Sequence, residues 1–312
     1  MEYNKHVPRG QDVLPAEGGK HRFSTISHGN FPRGQRGKLS FFNSPGKVVT
    51  CMDVKKLVAC FDVIGGNVTK AKQFQDNIYV APAAEMAQKL AESGIDEIIF
   101  FDVTASNEKR KIDLDTVRKV REHVTVPFTV GGGLRNLDDM KDAICAGADK
   151  VSIDSMAVRN PDIIAQGAKE LGSQRVVLSM QVARVDKTDT IPSGYEIAID
   201  GARTFTGMDA LEWAKRGASL GAGEICVNSI DNDGECNGYD LVITKAVADA
   251  VDVPVIASGG AGLPSHCADA FLKAGAASAI ISSMLYSPRL EKNFTVAEIK
   301  EELSSAGIKI RK

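Results

Sequence analysis

The chain contains two segments that repeat each other. Val126–Pro127–Phe128–Thr129–Val130–Gly131–Gly132–Gly133 returns as Val253–Pro254–Val255–Ile256–Ala257–Ser258–Gly259–Gly260. Ala146–Gly147–Ala148 returns as Ala274–Gly275–Ala276, and Ser155 as Ser283. The offset barely drifts: it is 127 residues between Gly132 and Gly259 and 128 between Ser155 and Ser283. Each copy reads as a short apolar strand, a glycine turn, a helix and a second strand. A chain that uses this unit twice is constrained to an architecture in which two similar halves share one sheet.

Alternation extends the pattern to the rest of the chain from about Lys55. Apolar, β-branched runs occur at Leu57–Phe61, Glu97–Phe101, Phe128–Val130, Lys150–Ile153, Val176–Met180, Glu224–Asn228, Val255–Ala257 and Ser278–Ile281. Between most of them apolar residues recur at helical spacing, as in Ala83–Met86–Ala87–Leu90 and Val117–Val120–Val124. Strands that alternate with helices imply a parallel sheet covered by helices. Eight such units predict a (βα)8 TIM barrel built from two half-barrels. A doubly wound open sheet is the alternative, but two four-unit halves can close on each other.

The predicted boundary falls at 52/53: residues 1–52 as an N-terminal extension and 53–312 as the barrel. The extension is rich in Gly, Pro, Ser, Arg and Lys, as in Pro32–Arg33–Gly34–Gln35–Arg36–Gly37–Lys38, and shows no helical or strand period. It reads either as a mobile basic tail or as a docking arm. A formal charge of −2 and a single Trp give no reason to expect nucleic acid as a partner. No run is long enough to span a membrane, and no signal-peptide core opens the chain, so a cytoplasmic location is expected. None of the six cysteines forms a C-x-x-C pair. Cys60, Cys145 and Cys226 sit in apolar runs and read as small core residues. Neither a metal nor a cofactor is called for.

The active site of a TIM barrel lies where its strands end. Gly131–Gly132–Gly133 follows the third strand, and Ser258–Gly259–Gly260–Ala261–Gly262 follows the seventh. Asp154–Ser155 follows the fourth, and Ser282–Ser283 the eighth. Glycines there let backbone N–H groups approach a phosphate, and a following helix N-terminus adds a favourable dipole. The glycines also suit plain tight turns. The matched pairs favour two phosphate sites, with Gly132, Gly133, Asp154 and Ser155 at one and Ser258, Gly259, Gly260, Ser282 and Ser283 at the other. A substrate with a phosphate at each end fits that arrangement.

Other strand ends carry polar groups. The first strand ends in Asp62, a candidate general acid or base, or else a turn cap. Lys70 either holds an anionic group or is solvated. The half-barrel repeat predicts a partner for Asp62 at the end of the fifth strand, and that position is Gln181, which cannot exchange a proton near neutral pH. Asp102 ends the second strand. Asn228, Asp233 and Gly234 belong to the cluster after the sixth, suited to substrate hydroxyls or to capping the turn. His123 and His266 fall in helical stretches away from the predicted strand ends, which argues against a histidine-based nucleophilic mechanism. At the strand starts stand Lys56, Glu97, Lys150 and Glu224, two cations and two anions able to pair at the barrel bottom or to ring its axis.

These motifs together resemble the cyclase subunit of imidazole glycerol phosphate synthase, the HisF family. The likeness runs from about Lys55 to the C-terminus. It is carried by Ala59–Cys60–Phe61–Asp62–Val63, Phe101–Asp102–Val103–Thr104–Ala105–Ser106, Asp149–Lys150–Val151–Ser152–Ile153, Ser229–Ile230–Asp231–Asn232–Asp233–Gly234, Gly238–Tyr239–Asp240 and both glycine turns. The resemblance implies a barrel paired with a separate glutaminase subunit. Ammonia released from glutamine passes along the axis and meets a ribulosyl aminoimidazole carboxamide nucleotide with two phosphates. The products are imidazole glycerol phosphate and an aminoimidazole carboxamide ribonucleotide. It further implies that Asp62 is a catalytic acid/base and that Lys56 (where an arginine is usual), Glu97, Lys150 and Glu224 form an ammonia gate. Asp149 matches a position at the glutaminase interface.

One departure stands out: the family's second catalytic aspartate falls at Gln181. Another group such as Asp102 or Asp231 would then supply the acid/base function. Alternatively, the chain is an ammonia-using cyclase for another bisphosphate, or a non-catalytic partner that regulates a glutaminase. The sister isomerase of the histidine pathway shares the two phosphate sites and the strand-one aspartate but needs no ammonia. The bottom charges argue against it.

Overall fold

The computed structural model describes residues 54–311, apart from 73–74, 106–107, 109 and 288–291 and the side chains of 70–72 and 75–77. The N-terminal extension and the side chain of Lys70 therefore lie outside the described residues.

Eight strands form the barrel: β1 (Lys56–Ile64), β2 (Glu97–Asp102), β3 (Phe128–Gly131), β4 (Lys150–Ile153), β5 (Val176–Arg184), β6 (Glu224–Ser229), β7 (Val255–Ser258) and β8 (Ser278–Ile280). Each pairs in parallel with the next. β8 returns to β1 with Lys56 opposite Ser278, so the eight strands close into a barrel. The closed barrel replaces the open-sheet alternative.

Among the described residues ten α-helices accompany the strands: α1 (Ala83–Glu92), α2 (Leu114–His123), α3 (Leu137–Cys145), α4 (Ser155–Arg159), α5 (Asp162–Leu171), α6 (Ala210–Ser219), α7 (Leu241–Ala250), α8 (Pro264–Leu272), α9 (Ser282–Tyr286) and α10 (Val296–Ser305). Aspartate carboxylates cap three of them. The carboxylates of Asp113, Asp209 and Asp240 each accept two backbone N–H groups of the first turn, which that turn cannot satisfy internally. Cys145, expected in the core, is exposed. It sits at the end of α3, whose buried positions are Asp139, Met140 and Ala143, and helical spacing carries residue 145 off that face.

Strand alternation divides the apolar residues into two layers. Leu57, Phe61, Ile98, Phe100, Phe128, Val151, Leu178 and their neighbours pack under the helices as the main core. Val58, Ile99, Val177, Cys226, Ile256 and Ile280 form a separate cluster that fills the barrel interior. Residues in step with these also point to the axis, including Lys56, Asp62, Glu97, Lys150, Gln181 and Glu224.

β1 and β5 are the longest strands, at nine residues each. Each is extended by an antiparallel hairpin that periodicity did not reveal. Asn67–Lys72 pairs with β1 and with Gln75–Pro82, so that Asp62 lies opposite Thr69. Tyr195–Ile199 pairs with β5 and with Thr204–Asp209, so that Gln181 lies opposite Ala198. The half-barrel symmetry thus includes the hairpins, and each hangs beside one of the two predicted acid/base positions.

Candidate active site

A pocket opens at the C-terminal ends of the strands. It is lined by Asp62 of β1, Gln181 of β5, Asn228 of β6, the β7 turn with Gly259 and Gly260, and Ser283 at the start of α9. Asp233 and Ser258 also border it. Asp62 and Gln181, 119 positions apart in sequence, therefore face one cavity. A polar chain runs round its rim. Ser258 Oγ donates to Asn228 Oδ1 at 2.7 Å, Asn228 Nδ2 to Gln181 Oε1 at 2.8 Å, and Gln181 Nε2 to Asp154 Oδ2 at 3.5 Å. Asp154 stands at the end of β4, where burial pushes its carboxyl up to about 7, against the opposing effect of the Gln181 hydrogen bond.

The two glycine turns match in three dimensions. Gly132 has φ +83° and Gly259 φ +84°. A Cβ on Gly132 would lie 2.2 Å from the Asp102 carbonyl oxygen, and one on Gly259 would lie 2.6 Å from that of Ser229, the residue at the same place in the other half. Both turns thus require glycine for conformation and for close approach to the preceding strand. The pocket includes the β7–β8 turns. Gly132, Gly133, Asp154 and Ser155 lie outside its lining, and so does Gly234. Ser155 Oγ accepts the Asp200 N–H at 2.9 Å, placing the β5 hairpin over the start of α4.

Several candidates are occupied by the protein itself. Asp102 is buried and held by Arg110, Oδ2 to Nη1 at 2.6 Å and Oδ1 to Nη2 at 2.7 Å, and it accepts the N–H of Ala105 and of Asp113. Its carboxylate organises the loop after β2 instead of facing the pocket. Asp231 accepts the Arg184 N–H at 2.8 Å on the exposed side of the mouth. Ser282 Oγ donates to the Cys60 carbonyl and accepts the Cys60 N–H, sewing α9 to β1, whereas Ser283 is partly exposed.

His266 lies in α8, as its helical spacing indicated, and its ring meets the turn that follows β7. Its Nδ1 accepts the N–H groups of Gly262 at 3.2 Å and Leu263 at 3.3 Å. Burial lowers its pKa, which favours the neutral ring that this acceptor role needs. The only sequence signal for it was its correspondence to Asp139 under the repeat.

At the opposite end the four strand-start charges meet. Lys150 Nζ lies 2.7 Å from Glu97 Oε1 and 2.9 Å from Glu224 Oε2, and Lys56 Nζ lies 3.8 Å from Glu97 Oε2. Lys150 therefore spans β3 on one side and β5 on the other, contacts that only side chains turned to the axis can make. Glu97 is 2% exposed, Lys150 13% and Glu224 14%, so the inner three are shielded from solvent. Thr129 Oγ1 adds a hydrogen bond to Glu97 at 3.0 Å. One layer further up, Ser152 and Ser179 meet Oγ to Oγ at 2.8 Å. A polar strip thus lies inside the barrel on the β3–β5 side, between the charges and the Asp154–Gln181 pair. Asp149, just before β4, accepts from Arg121 at 3.0 Å and from the Phe128 N–H at 2.9 Å.

Among the described residues no group of three His, Cys, Asp or Glu side chains is placed to hold a metal ion, and no helix is long and apolar enough to cross a membrane.

Residues 56–291 match the family model described as "Histidine biosynthesis protein". The chain is 50% identical over 257 residues to imidazole glycerol phosphate synthase subunit HisF of Oleidesulfovibrio alaskensis, covering 82% of this chain and 98% of that protein. It is 48% identical to the subunit of the same name from Nitratidesulfovibrio vulgaris, over 82% of this chain and 98% of that protein. The Desulfosudis oleivorans subunit is likewise 48% identical, over 83% and 99%. On the barrel, the matched turns and this extent of similarity, the chain belongs to the family of histidine biosynthesis proteins.

Proposed function

We propose that this chain is the cyclase subunit of imidazole glycerol phosphate synthase. It takes ammonia from a separate glutaminase subunit and a ribulosyl aminoimidazole carboxamide nucleotide bearing two phosphates. It releases imidazole glycerol phosphate and an aminoimidazole carboxamide ribonucleotide. The observation that carries this reading is the polar strip within the barrel. An apolar interior would serve stability at least as well as a shielded ion-pair cluster, so Lys56, Glu97, Lys150 and Glu224 call for a functional account. A gate for ammonia at the end opposite the pocket supplies one, and the Ser152–Ser179 pair continues a hydrogen-bonding route upward.

In this reading Asp62 is the acid/base on β1. The β7 and β8 turns, through Gly259, Gly260 and Ser283, take one phosphate, and the turns after β3 and β4, through Gly132, Gly133 and Ser155, take the other. Asn228 and Asp233 meet substrate hydroxyls, and Lys70 meets an anionic group. The glutaminase docks on the face that carries Asp149. The N-terminal residues 1–52 form an extension to the catalytic domain.

The test is to combine the purified chain with a glutaminase subunit of the same pathway, glutamine and the bisphosphate nucleotide. Formation of imidazole glycerol phosphate is expected. Its absence, or turnover of the aldose precursor with no nitrogen source, would sink the reading.

A further inference from the structure

The β5 strand end holds an amide where a two-sided acid/base site needs a titratable group. Asp154 stands one strand away. On β4 and at its end the inward residues are Lys150, Ser152 and Asp154, and each touches an inward partner across or on β5: Glu224, Ser179 and Gln181 respectively. The rim chain has a fixed sense. Ser258 donates to Asn228, Asn228 donates to Gln181, and Gln181 donates to Asp154. Such a chain must end on an acceptor, and Asp154 is the one member that titrates. Its other oxygen, Oδ1, is buried and has no hydrogen-bond partner among the described residues, which is costly unless a ligand or a proton completes it. The two other carboxylates considered for this role are used elsewhere, Asp102 by Arg110 and Asp231 by the Arg184 backbone.

We propose that Asp154 is the second proton-transfer residue of this site, acting from just behind the pocket lining, and that Gln181, which lines the pocket, is a positioning residue that holds its carboxyl. The proposal rests on the cyclase reading above. In the addition of ammonia to the substrate ketone, the nitrogen–carbon bond forms and the nitrogen gives up a proton to the Asp154 carboxylate. The resulting carboxyl gives that proton to the former carbonyl oxygen, making the carbinol hydroxyl, and a second proton then passes from nitrogen through the same carboxylate to that hydroxyl. The carbon–oxygen bond then breaks with loss of water, leaving an imine and a regenerated carboxylate. Burial, the largest influence on Asp154, raises its pKa to about 7, where both forms are populated near neutrality. The groups facing it include Gln181, the Cys226 thiol, whose pKa is raised by burial first and by the Asp154 charge as well, and the pair Arg159–Asp200, of which Arg159 opposes the rise and Asp200 adds to it.

The experiment compares the native full-length chain, Asp154→Asn, and Asp154→Asn with Gln181→Asp, using the bisphosphate nucleotide with an ammonium salt as nitrogen source. Asp154→Asn is expected to lower kcat by about 10²- to 10⁴-fold with KM little changed, the usual cost of losing a general acid/base. The pH–rate limb near 7 should disappear. Returning a carboxylate to position 181 in the double variant should recover at least about tenfold, with a pH limb at a new position. No product from the native chain sinks the cyclase reading itself. A native chain that turns over while Asp154→Asn stays within about threefold of it overturns the Asp154 proposal alone, because a lost general acid/base costs far more. Equal losses in kcat and substrate binding, with no recovery in the double variant, mean a structural role and overturn it too. Carboxyl ¹³C NMR, read as native minus Asp154→Asn, needs no turnover. A titration near 7 is expected, and one in the ordinary carboxylate range of about 4 overturns the proposal.

Discussion

Asp139 and His266 occupy the same place in the two half-barrels and make the same bond. Asp139 Oδ2 accepts the Arg135 N–H at 3.0 Å, and His266 Nδ1 accepts the Gly262 N–H at 3.2 Å. Each tethers the turn that follows its glycines to the helix beyond. The acceptors differ in what turns them off. Lys111 and Arg135 hold the Asp139 carboxylate below its usual range against the upward push of burial, so it stays ionised through mild acid. Protonation of His266 converts its acceptor into a donor and breaks the tether.

The first prediction concerns that difference. The folded pKa of His266 lies below its unfolded value of about 6.5. Above that pH both states are neutral and the tether is intact. As pH falls below it, the unfolded chain takes up the proton first and the folded state loses stability. Urea melts between pH 7.5 and 5 should show a steeper decline for the native chain than for His266→Asn, whose side-chain oxygen accepts without titrating. Parallel declines would assign the loss to other groups.

Asp154→Asn should separate stability from activity. The carboxyl is raised in the folded state, so ionisation is penalised there. The penalty is absent below the unfolded pKa, grows between 3.8 and about 7, and is complete above 7. Thermal unfolding at pH 8 should therefore show the variant more stable than the native chain, with the advantage gone by pH 4. An unchanged or lower melting temperature at pH 8 would mean that the carboxylate carries no such penalty.

Gly132→Ala and Gly259→Ala should be comparably harmful. Each puts a side chain on a positive-φ residue and against a strand carbonyl. We expect a loss of about 1–3 kcal/mol for each from backbone strain, measured by urea denaturation. Gly65→Ala is the control: its φ is also positive, but its Cβ would meet nothing within 4 Å. It should cost visibly less.

Lys150→Met removes the cation shared by Glu97 and Glu224 and leaves two shielded carboxylates facing each other. A destabilisation of roughly 3 kcal/mol is expected from the broken pair. If the quartet gates ammonia, the rate with glutamine and glutaminase should change by a different factor from the rate with ammonium salt. Equal factors would indicate that the cluster is structural only.

Asp62→Asn should reduce cyclase turnover by about 10²- to 10⁴-fold with KM nearly constant. A fall in substrate affinity with kcat preserved would make Asp62 a binding residue.

The eight strands were legible because each is a short apolar run between helical spacings, and their ends placed Asp62 and Gln181 correctly. The hairpins beside them were not. Thr204–Asp209 is largely exposed and Asn67–Lys72 is mostly polar in sequence, so their pairing depends on the length of β1 and β5 and not on a core-facing period. The bottom quartet was legible as four charges at strand starts, but its pairing was not. Lys150 reaches past β3 and β5 only because the closed barrel brings nonadjacent strands together. Asp154 read as one residue of a phosphate turn. Its link to Gln181 depends on which side chains share a rung of the barrel interior, and that follows from register across a pairing with 22 residues of chain between its strands.

The Lys150–Glu224 bond joins the last strand of the first half-barrel to the second strand of the other. A fragment ending after α4 would keep Lys56, Glu97 and Lys150, a cluster with one surplus positive charge, and the complementary fragment would present the Glu224 carboxylate, at what becomes an open seam. Two pieces of this chain expressed apart should consequently recognise each other with a salt-sensitive affinity, and Glu224→Gln should weaken it. The joint between the two half-barrels is, in this sense, keyed.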